Sequence, residues 1–222
     1  MKDGTIRDDV IIVLVDLSGS MAGTALSLVG VHISELLSEL QSIQDNANNS
    51  IRLGILGFHE TAFWMMGPKQ VNQILDLPQF RPAYGDDQLG KKSNYAEMFK
   101  KLNECMTERF LCETRALNSV HLLLFTDSVP TDSRAVFMET LRNIKKNPVF
   151  SNSRTKRYIV RERTREIRFS GMEDYLDMEV CLKRFASNEQ NIVSSEEFPA
   201  LLGNIVGELG TIEKIDSVFN KN

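Results

Sequence analysis

The chain has 222 residues, of which 42% are hydrophobic and 25% charged, and its formal net charge is −4 at pH 7. This balance is typical of a globular protein, and the small acidic excess gives no reason to expect nucleic-acid binding. The longest apolar run, Val10 to Val15, is far shorter than the roughly 20 residues of a membrane helix. The first residues also lack the apolar stretch of a signal peptide. We therefore expect a single cytoplasmic domain over residues 1–222, with no membrane partner.

The cysteines and histidines argue against a zinc site and against a disulfide framework. Cys105, Cys112 and Cys181 form no CxxC pair and leave an odd count. Cys105 and Cys112 have the spacing of one helix face, so we expect both to pack in the core as small hydrophobic residues. The histidines are scattered and show no metal-ligand spacing.

The predicted elements begin with a buried strand. Asp9–Asp16 is a continuous run of β-branched and other apolar residues, which indicates a strand covered on both faces. Thr24–Gln44 has one apolar face at helical spacing and predicts a helix. Ile51–Phe58 and Thr61–Met66 predict two further strands. Because only two residues separate them, that pair must be antiparallel.

The second half of the chain continues the alternation. Lys69–Leu77 predicts a short helix, and a turn-rich stretch follows to Lys92. Tyr95 to Phe110 shows helical spacing, Val120–Phe125 predicts another buried strand, and Ser133–Lys146 predicts a helix. The last predicted elements are a strand within Tyr158–Phe169, a helix over Glu173–Ala186, a strand at Asn191–Ser194 and a helix from Glu196 to about Leu209.

This order of elements predicts an α/β fold. Strands that alternate with helices form a doubly wound, Rossmann-like and mostly parallel sheet with helices on both faces. We expect a six-stranded sheet whose third strand is an antiparallel edge strand. In an open sheet of this kind, ligands bind beyond the carboxyl ends of the strands.

Oxygen-bearing side chains lie at that end of the predicted sheet. Asp16, Ser18 and Ser20 follow the first predicted strand. Asp127 follows the predicted strand Val120–Phe125, and Ser93 precedes the helical pattern that starts at Tyr95. Hydroxyl oxygens with few carboxylates suit Mg²⁺ better than Zn²⁺. The sequence therefore predicts that these five residues bind Mg²⁺ (or Mn²⁺ or Ca²⁺), with Mg²⁺–oxygen distances of about 2.0–2.1 Å.

Three segments carry a resemblance to a known family. Asp16–Ser20 resembles the DxSxS signature of von Willebrand factor A (VWA) domains, which begins their metal-ion-dependent adhesion site, or MIDAS. Ser93 occupies a position similar to that of the threonine in the family's second loop. Thr126–Ser128 is similar to the family's Thr-Asp-Gly turn, with Ser128 in place of the glycine. The longer stretch Thr126–Asp132 resembles bacterial TerY-type VWA proteins, which carry Thr-Asp-Gly-x-Pro-Thr-Asp.

The resemblance implies the VWA fold and a metal ion that accepts an acidic side chain from a partner protein. It also implies an intracellular interaction module rather than an enzyme. A TerY-like protein is expected to act as a scaffold or regulator in a tellurium-resistance or stress-response system, with a protein kinase or a PP2C-type phosphatase as partner. Two alternatives stay open: a VWA subunit of an AAA+ ATPase or chelatase-like complex, and a Mg²⁺-dependent hydrolase. A hydrolase of the haloacid type needs a carboxylate where Ser18 stands.

Several of these polar residues also have a structural interpretation. Ser18 and Ser20 suit a cap for the first helix. Asn94 and Glu97 have the spacing of a capping box. Asp132 is predicted to cap the helix that begins at Ser133.

A basic segment from Arg154 to Arg168 contains seven basic residues against two acidic ones. Such a segment is typical of a solvated edge strand or loop. A docking surface for an acidic partner is the alternative.

Overall fold

The structure is a computed structural model that describes residues 7–44, 50–82, 84–85, 88–89, 92–113, 116–127, 130–162, 180 and 182–219. Its strands are β1 (Arg7–Asp16), β2 (Ser50–Phe58), β3 (Ala62–Gln70), β4 (Tyr84–Gly85), β5 (Gln88–Leu89), β6 (Ala116–Thr126), β7 (Thr155–Arg161) and β8 (Ile192–Ser194). Its helices are α1 (Thr24–Gln44), α2 (Tyr95–Cys105), α3 (Glu108–Cys112), α4 (Arg134–Ile144) and α5 (Phe198–Phe219). Short 3₁₀ turns lie at Gly19–Met21, Val71–Gln73, Glu189–Asn191 and Ser195–Glu197.

Six strands form the main sheet, in the order β3-β2-β1-β6-β7-β8. The β2–β3 pair is antiparallel and β3 lies at one edge, whereas the other neighbouring strands are parallel. The predicted doubly wound, six-stranded sheet with one antiparallel edge strand is therefore confirmed. The strands β4 and β5 form a separate two-stranded ribbon.

The central strand β1 is buried on both faces, as its continuous apolar run predicts. Ile11, Val13 and Val15 pack against α1 and α5 on one face of the sheet. The alternate side chains of β1 pack against α2, α3 and α4 on the other face. This alternation follows from the two-residue period of a strand. A β1 covered on both sides is a rigid support for the loop that follows Asp16.

Helix α1 has the predicted bounds, and its apolar residues recur every three or four positions. Leu26, Val29, Ile33 and Leu40 are buried against the sheet. Gly23, directly before the helix, has a φ of +84°, which is in the left-handed region that favours glycine. Gly23 therefore lets the chain turn from the loop after β1 into α1.

The predicted helix over Lys69–Leu77 is wrong. Strand β3 continues to Gln70 because Lys69 and Gln70 still pair with β2, and a single 3₁₀ turn follows at Val71–Gln73. Pro68 is compatible with this strand because an edge strand has one side without hydrogen-bonding partners.

The single helix expected from Tyr95 to Phe110 is two helices. Helix α2 ends at Cys105, and α3 begins after Thr107, whose side chain accepts a hydrogen bond from Phe110 N at 3.2 Å. Cys105 and Cys112 therefore do not share one helix face. Cys112 is buried, and burial raises the pKa of its thiol to about 12, which keeps the thiol protonated in the core.

The last elements agree with the predicted alternation, although their bounds differ. Helix α4 starts one residue later than predicted, with Ser133 as its N-cap, and β7 starts at Thr155 rather than within Tyr158–Phe169. Most of the predicted Glu173–Ala186 helix lies outside the described residues. None of the helices in the described part of the chain has the length and apolarity that a membrane span needs.

Candidate metal centre

Three loops meet at the carboxyl end of the sheet. Strands β1 and β6 are parallel neighbours, so the loops after Asp16 and after Thr126 start side by side. Backbone hydrogen bonds fix the loop that contains Ser93 to the loops that follow β2 and β6. Asn94 N donates to His59 O at 2.9 Å, and Thr131 N donates to Ser93 O at 3.1 Å. The parallel register and these backbone bonds bring three distant segments of sequence together.

The five predicted ligands form one continuous chain of polar contacts. Ser18 N and Ser93 Oγ both donate to Asp16 Oδ1, at 2.9 Å and 3.4 Å. Ser18 Oγ lies 3.1 Å from Ser20 Oγ. Ser20 Oγ in turn donates to Asp127 Oδ1 at 2.9 Å. The two carboxylates are therefore joined at the edge of the sheet through the backbone N–H of Ser18 and the hydroxyls of Ser18 and Ser20.

The cluster is closed on one side and open on the other. Asp16, Ser18 and Ser93 are buried, whereas Asp127 is half-buried and Ser20 is exposed. A partner or solvent molecule can therefore approach the cluster from the side of Ser20 and Asp127.

Two residues that the sequence did not identify orient Asp16. Thr126 Oγ1 donates to Asp16 Oδ2 at 2.9 Å, and Tyr95 Oη lies 2.7 Å from Thr126 Oγ1. Because the Thr126 hydroxyl uses its proton on the carboxylate, Tyr95 must be the donor in the second bond. Burial and the charge of Asp16 raise the pKa of Tyr95 well above its ordinary value, so the phenol keeps that proton.

The sequence held a signal for Thr126, because it precedes Asp127 in the motif, but none for Tyr95. Tyr95 has the position of an apolar residue on a helix face, and its ring is buried as that position predicts. Only the fold brings its hydroxyl to Thr126.

Asp132 has a different role from the predicted one. It does not cap the helix that follows it; Ser133 does, through Val136 N at 3.4 Å. Asp132 Oδ2 instead accepts from Tyr95 N at 2.7 Å and from Ala96 N at 3.3 Å, at the start of α2. Burial raises the pKa of the Asp132 carboxyl, while these two hydrogen bonds act in the opposite direction.

The capping alternatives apply to only some of the site residues. Asn94 is the N-cap of α2, and its Oδ1 accepts from Glu97 N at 3.2 Å. Ser18 makes no side-chain capping bond, although it precedes the 3₁₀ turn at Gly19–Met21. Ser20 donates to Asp127. The hydroxyls of Ser18 and Ser20 therefore point into the cluster.

A buried polar network lies next to Asp127. Glu162 follows β7, and its backbone N–H donates to Thr126 O at 3.0 Å. Burial raises the pKa of the Glu162 carboxyl, and the charge of Asp127 adds to that effect, whereas Ser195 and His32 oppose it. His32 Nε2 lies 2.8 Å from Ser195 Oγ. The Glu162 carboxyl therefore lies close enough to Asp127 for the charge of Asp127 to shift its pKa.

The donor set fits a hard divalent cation. The cluster offers carboxylate and hydroxyl oxygens, which are the ligands that Mg²⁺ prefers. In the described part of the chain, no three His, Cys, Asp or Glu side chains are grouped so that they could hold a metal ion. A metal bound at this centre would thus rely on serine hydroxyls as well as the two carboxylates. The residues that would hold it are Asp16, Ser18, Ser20, Ser93 and Asp127.

Comparison with solved structures identifies the fold, although no family model and no curated protein match the sequence. The pilus adhesin SpaC from Lactobacillus rhamnosus GG aligns at 12% identity with a TM-score of 0.63, over 93% of this chain and 30% of the adhesin. The vWF domain of the type V pili tip protein Mfa5 from Porphyromonas gingivalis aligns at 10% identity with a TM-score of 0.55, over 92% of this chain and 95% of that domain.

A third similar structure is proximal thread matrix protein 1 from the mussel byssus, with a zinc-occupied MIDAS motif. It aligns at 11% identity with a TM-score of 0.54, over 95% of this chain and 47% of that protein. These similarities show that the chain has the fold of VWA domains. The chain spans 30% of the length of the pilus adhesin.

Proposed function

We propose that this chain is a metal-dependent protein-interaction module of the MIDAS type. The observation that carries the proposal is the continuous chain of polar contacts that runs from buried Asp16 to half-buried Asp127 at the carboxyl end of the sheet. This is the position at which open α/β sheets bind their ligands. The VWA fold of the similar structures supports the same function.

The residues of the centre would have two different roles. Asp16 would be the fixed anchor of the ion, because Ser93 and Thr126 each donate a hydroxyl to its carboxylate. Asp127 and Ser20 would complete the binding site on the open side. The bound ion would supply a coordination position for a carboxylate of the partner protein. Mg²⁺ suits this role because it usually combines a few protein ligands with exchangeable waters.

The proposal is a binding function and not catalysis. A phosphatase of the haloacid type needs a second acidic side chain two residues after the first aspartate, to protonate the leaving group. Ser18 occupies that position, and its hydroxyl contacts Ser20. The centre would thus bind a cation beside hydroxyl groups, and it provides no general acid at the position of Ser18.

The resemblance of Thr126–Asp132 to TerY-type proteins supports a more specific proposal. We place the chain in the cytoplasm, as a scaffold or regulator in a tellurium-resistance or stress-response system. Its partner would be a protein kinase or a PP2C-type phosphatase that presents an acidic side chain to the ion. Identification of the proteins captured in the second experiment below separates this proposal from an AAA+ ATPase complex.

The metal is tested first, by calorimetric titration with Mg²⁺ and Mn²⁺. One binding site is expected for the wild-type chain. Asp127→Ala should abolish it, because the variant removes one of the two carboxylates. Asp76→Ala is the control, since Asp76 is exposed and outside the centre and the change in charge is the same. Absence of binding to either ion at millimolar concentration would contradict the proposal.

The use of the metal is tested by capture of partners on the immobilised chain. Binding of the partner should require Mg²⁺ and should be lost in excess EDTA. Ser18→Ala should weaken capture while circular dichroism stays near native, because the core strands are unchanged. A partner that binds equally well with and without EDTA would show that the metal is not used in recognition.

A further inference from the structure

A cationic surface lies where the C-terminal end of α4 meets β7 and the segment before β8. It consists of Lys145, Arg157 and Arg184. Lys145 is the C-cap of α4, Arg157 is in β7, and Arg184 lies in the segment that leads to β8. Lys145 and Arg184 are exposed and Arg157 is half-buried. None of the three belongs to the candidate metal centre.

Backbone carbonyl groups accept hydrogen bonds from the charged ends of Lys145 and Arg157. Lys145 Nζ donates to the carbonyl oxygen of Arg184 at 3.1 Å. The Arg157 guanidinium donates through Nε to Phe185 O at 2.8 Å and through Nη1 to Phe150 O at 3.0 Å. It also lies 4.9 Å from the centre of the Phe150 ring. Backbone carbonyl groups thus hold the charged groups of Lys145 and Arg157, and the Lys145 ammonium lies against the backbone of Arg184.

Within the described residues, none of the three cations forms an ion pair. Lys156, on the same strand as Arg157, shows the contrast: its ammonium lies 2.6 Å from the Glu208 carboxylate. Burial lowers the pKa of Lys145, and the positive charges of Arg157 and Arg184 lower it further. The fold therefore holds like charges close together, and an anion placed between them would relieve their repulsion.

We propose that the cationic surface binds an acidic segment of a partner protein, one rich in aspartate and glutamate. The exposed ends of Lys145 and Arg184 can each pair with a carboxylate of such a segment. Arg157 adds positive charge beneath them. Lys146, the exposed residue after Lys145, would add a further positive charge beside the surface.

A protein segment fits this surface better than a nucleic acid does. Tight binding to a duplex requires many phosphate contacts over a large basic surface. The chain as a whole carries a net charge of −4, which would repel the phosphates beyond the cationic surface. A short acidic peptide needs only the local cluster. This recognition does not use a metal ion, so it is independent of the proposed MIDAS function.

The test measures the binding of a fluorescent oligoglutamate peptide by anisotropy at low ionic strength. Excess EDTA is present throughout, so that the candidate metal centre cannot bind the carboxylates of the peptide. The test variant is the double charge reversal Lys145→Glu with Arg184→Glu. The control is Lys69→Glu with Arg109→Glu, because both residues are exposed, lie on other elements and give the same change in net charge. Circular dichroism confirms that both variants fold.

The wild-type chain should bind the peptide, and added salt should weaken the complex. The test variant should bind about tenfold or more weakly, because two surface ion pairs of ordinary strength are replaced by repulsion. The control should stay within about twofold of the wild type. No binding by the wild type, or equal losses in both variants, would overturn the proposal. Tighter binding of duplex DNA than of the peptide, with the same sensitivity to the test variant, would overturn it in favour of a nucleic-acid surface.

Discussion

Strand β1 carries a buried aspartate at each end, and the two differ in their surroundings. At the amino end, Asp9 accepts hydrogen bonds from Asn118 Nδ2 at 2.8 Å and Ser119 Oγ at 2.5 Å. At the carboxyl end, Asp16 accepts from Ser18, Ser93 and Thr126. Both carboxylates are almost completely buried, at 1% and 0% exposure. Burial and hydroxyl contacts are therefore common to both ends.

What differs is where the polar contacts lead. From Asp16 the polar contacts continue through Ser18 and exposed Ser20 to a second carboxylate, Asp127. At the amino end, the neighbouring acid Asp8 contacts a cation of the protein itself, since Arg52 Nη1 lies 3.5 Å from Asp8 Oδ2. A buried aspartate with hydroxyl partners is thus not sufficient for a metal site. Asp16 is the candidate because its contacts reach exposed Ser20 and half-buried Asp127, where the cluster is open.

The largest expected effect is the difference in metal affinity between a variant of Asp16 and the same variant of Asp9. Asp16→Asn should reduce Mn²⁺ affinity by more than about a hundredfold, because it removes the charge of the anchoring ligand. Asp9→Asn should leave the affinity unchanged. Mn²⁺ titration followed by calorimetry or by electron paramagnetic resonance measures both. Equal losses in the two variants would mean that a change in fold, and not loss of a ligand, reduces binding.

The second effect tests whether the amino end contributes stability and not function. Arg52 is buried, with contacts to Asp8, to Pro68 O at 3.1 Å and to Glu113 at 2.6 Å. Arg52→Met removes the cation beside a buried carboxylate and should cost about 3–5 kcal/mol of unfolding free energy. Glu113→Gln should cost less than about 1 kcal/mol, because Glu113 is exposed.

Urea unfolding of both variants measures these costs, and Mn²⁺ titration of the folded variants provides the functional comparison. Metal affinity should be unchanged in both. A loss of affinity in Arg52→Met under conditions where it is folded would contradict the separation of the two ends.

A third, smaller effect concerns the support of Asp16. Tyr95→Phe removes the hydroxyl that donates to Thr126, and Thr126 in turn donates to Asp16. Metal affinity should fall about tenfold. This is at the lower end of the losses expected when a residue that orients a metal ligand is changed. Stability should fall by about 1 kcal/mol, since the ring still fills the same space. An unchanged Mn²⁺ affinity with reduced stability would make Tyr95 a core residue only.

The fold could be predicted largely because the central strands are mostly apolar. Val10–Val15 and Val120–Phe125 are short apolar runs typical of strands buried on both faces, and the two-residue link before β3 requires an antiparallel pair. The errors fall where the pattern is ambiguous. Lys69–Leu77 could not be identified as partly strand, because its pairing with β2 is a long-range contact that leaves little mark on local sequence.

The candidate site was predictable to the extent that each residue ends a strand or begins a helix. Asp16, Ser18, Ser20, Ser93 and Asp127 meet because parallel strands end at one edge, and this could be inferred from their order. The supporting contacts could not. Asp132 lies next to α4 in sequence but accepts hydrogen bonds from the first N–H groups of α2, and Tyr95 has the pattern of a core residue. Both contacts depend on how α2 lies relative to the end of β6 and the loop that follows it, which no local pattern specifies.

The smallest expected effect concerns the amino-end aspartate itself. Burial raises the pKa of Asp9 above its ordinary value, and the charge of Asp8 acts in the same direction, although Ser119 and Asn118 oppose the shift. A raised pKa in the folded state means that the folded chain binds this proton more tightly than the unfolded chain does. The stabilisation is therefore complete below the unfolded pKa and is lost as pH rises through the folded pKa.

Asp9→Asn keeps this side chain neutral at every pH, and its amide oxygen can still accept from Ser119 and Asn118. At pH 7 the variant should therefore melt above the wild type. The difference should shrink as pH falls toward the ordinary pKa of aspartate, where the wild-type carboxyl is itself protonated. Thermal unfolding at several pH values measures the trend, with Asp76→Asn as an exposed control that should show none. A variant that melts below the wild type at pH 7 would mean that the hydrogen bonds to the charged carboxylate outweigh its burial.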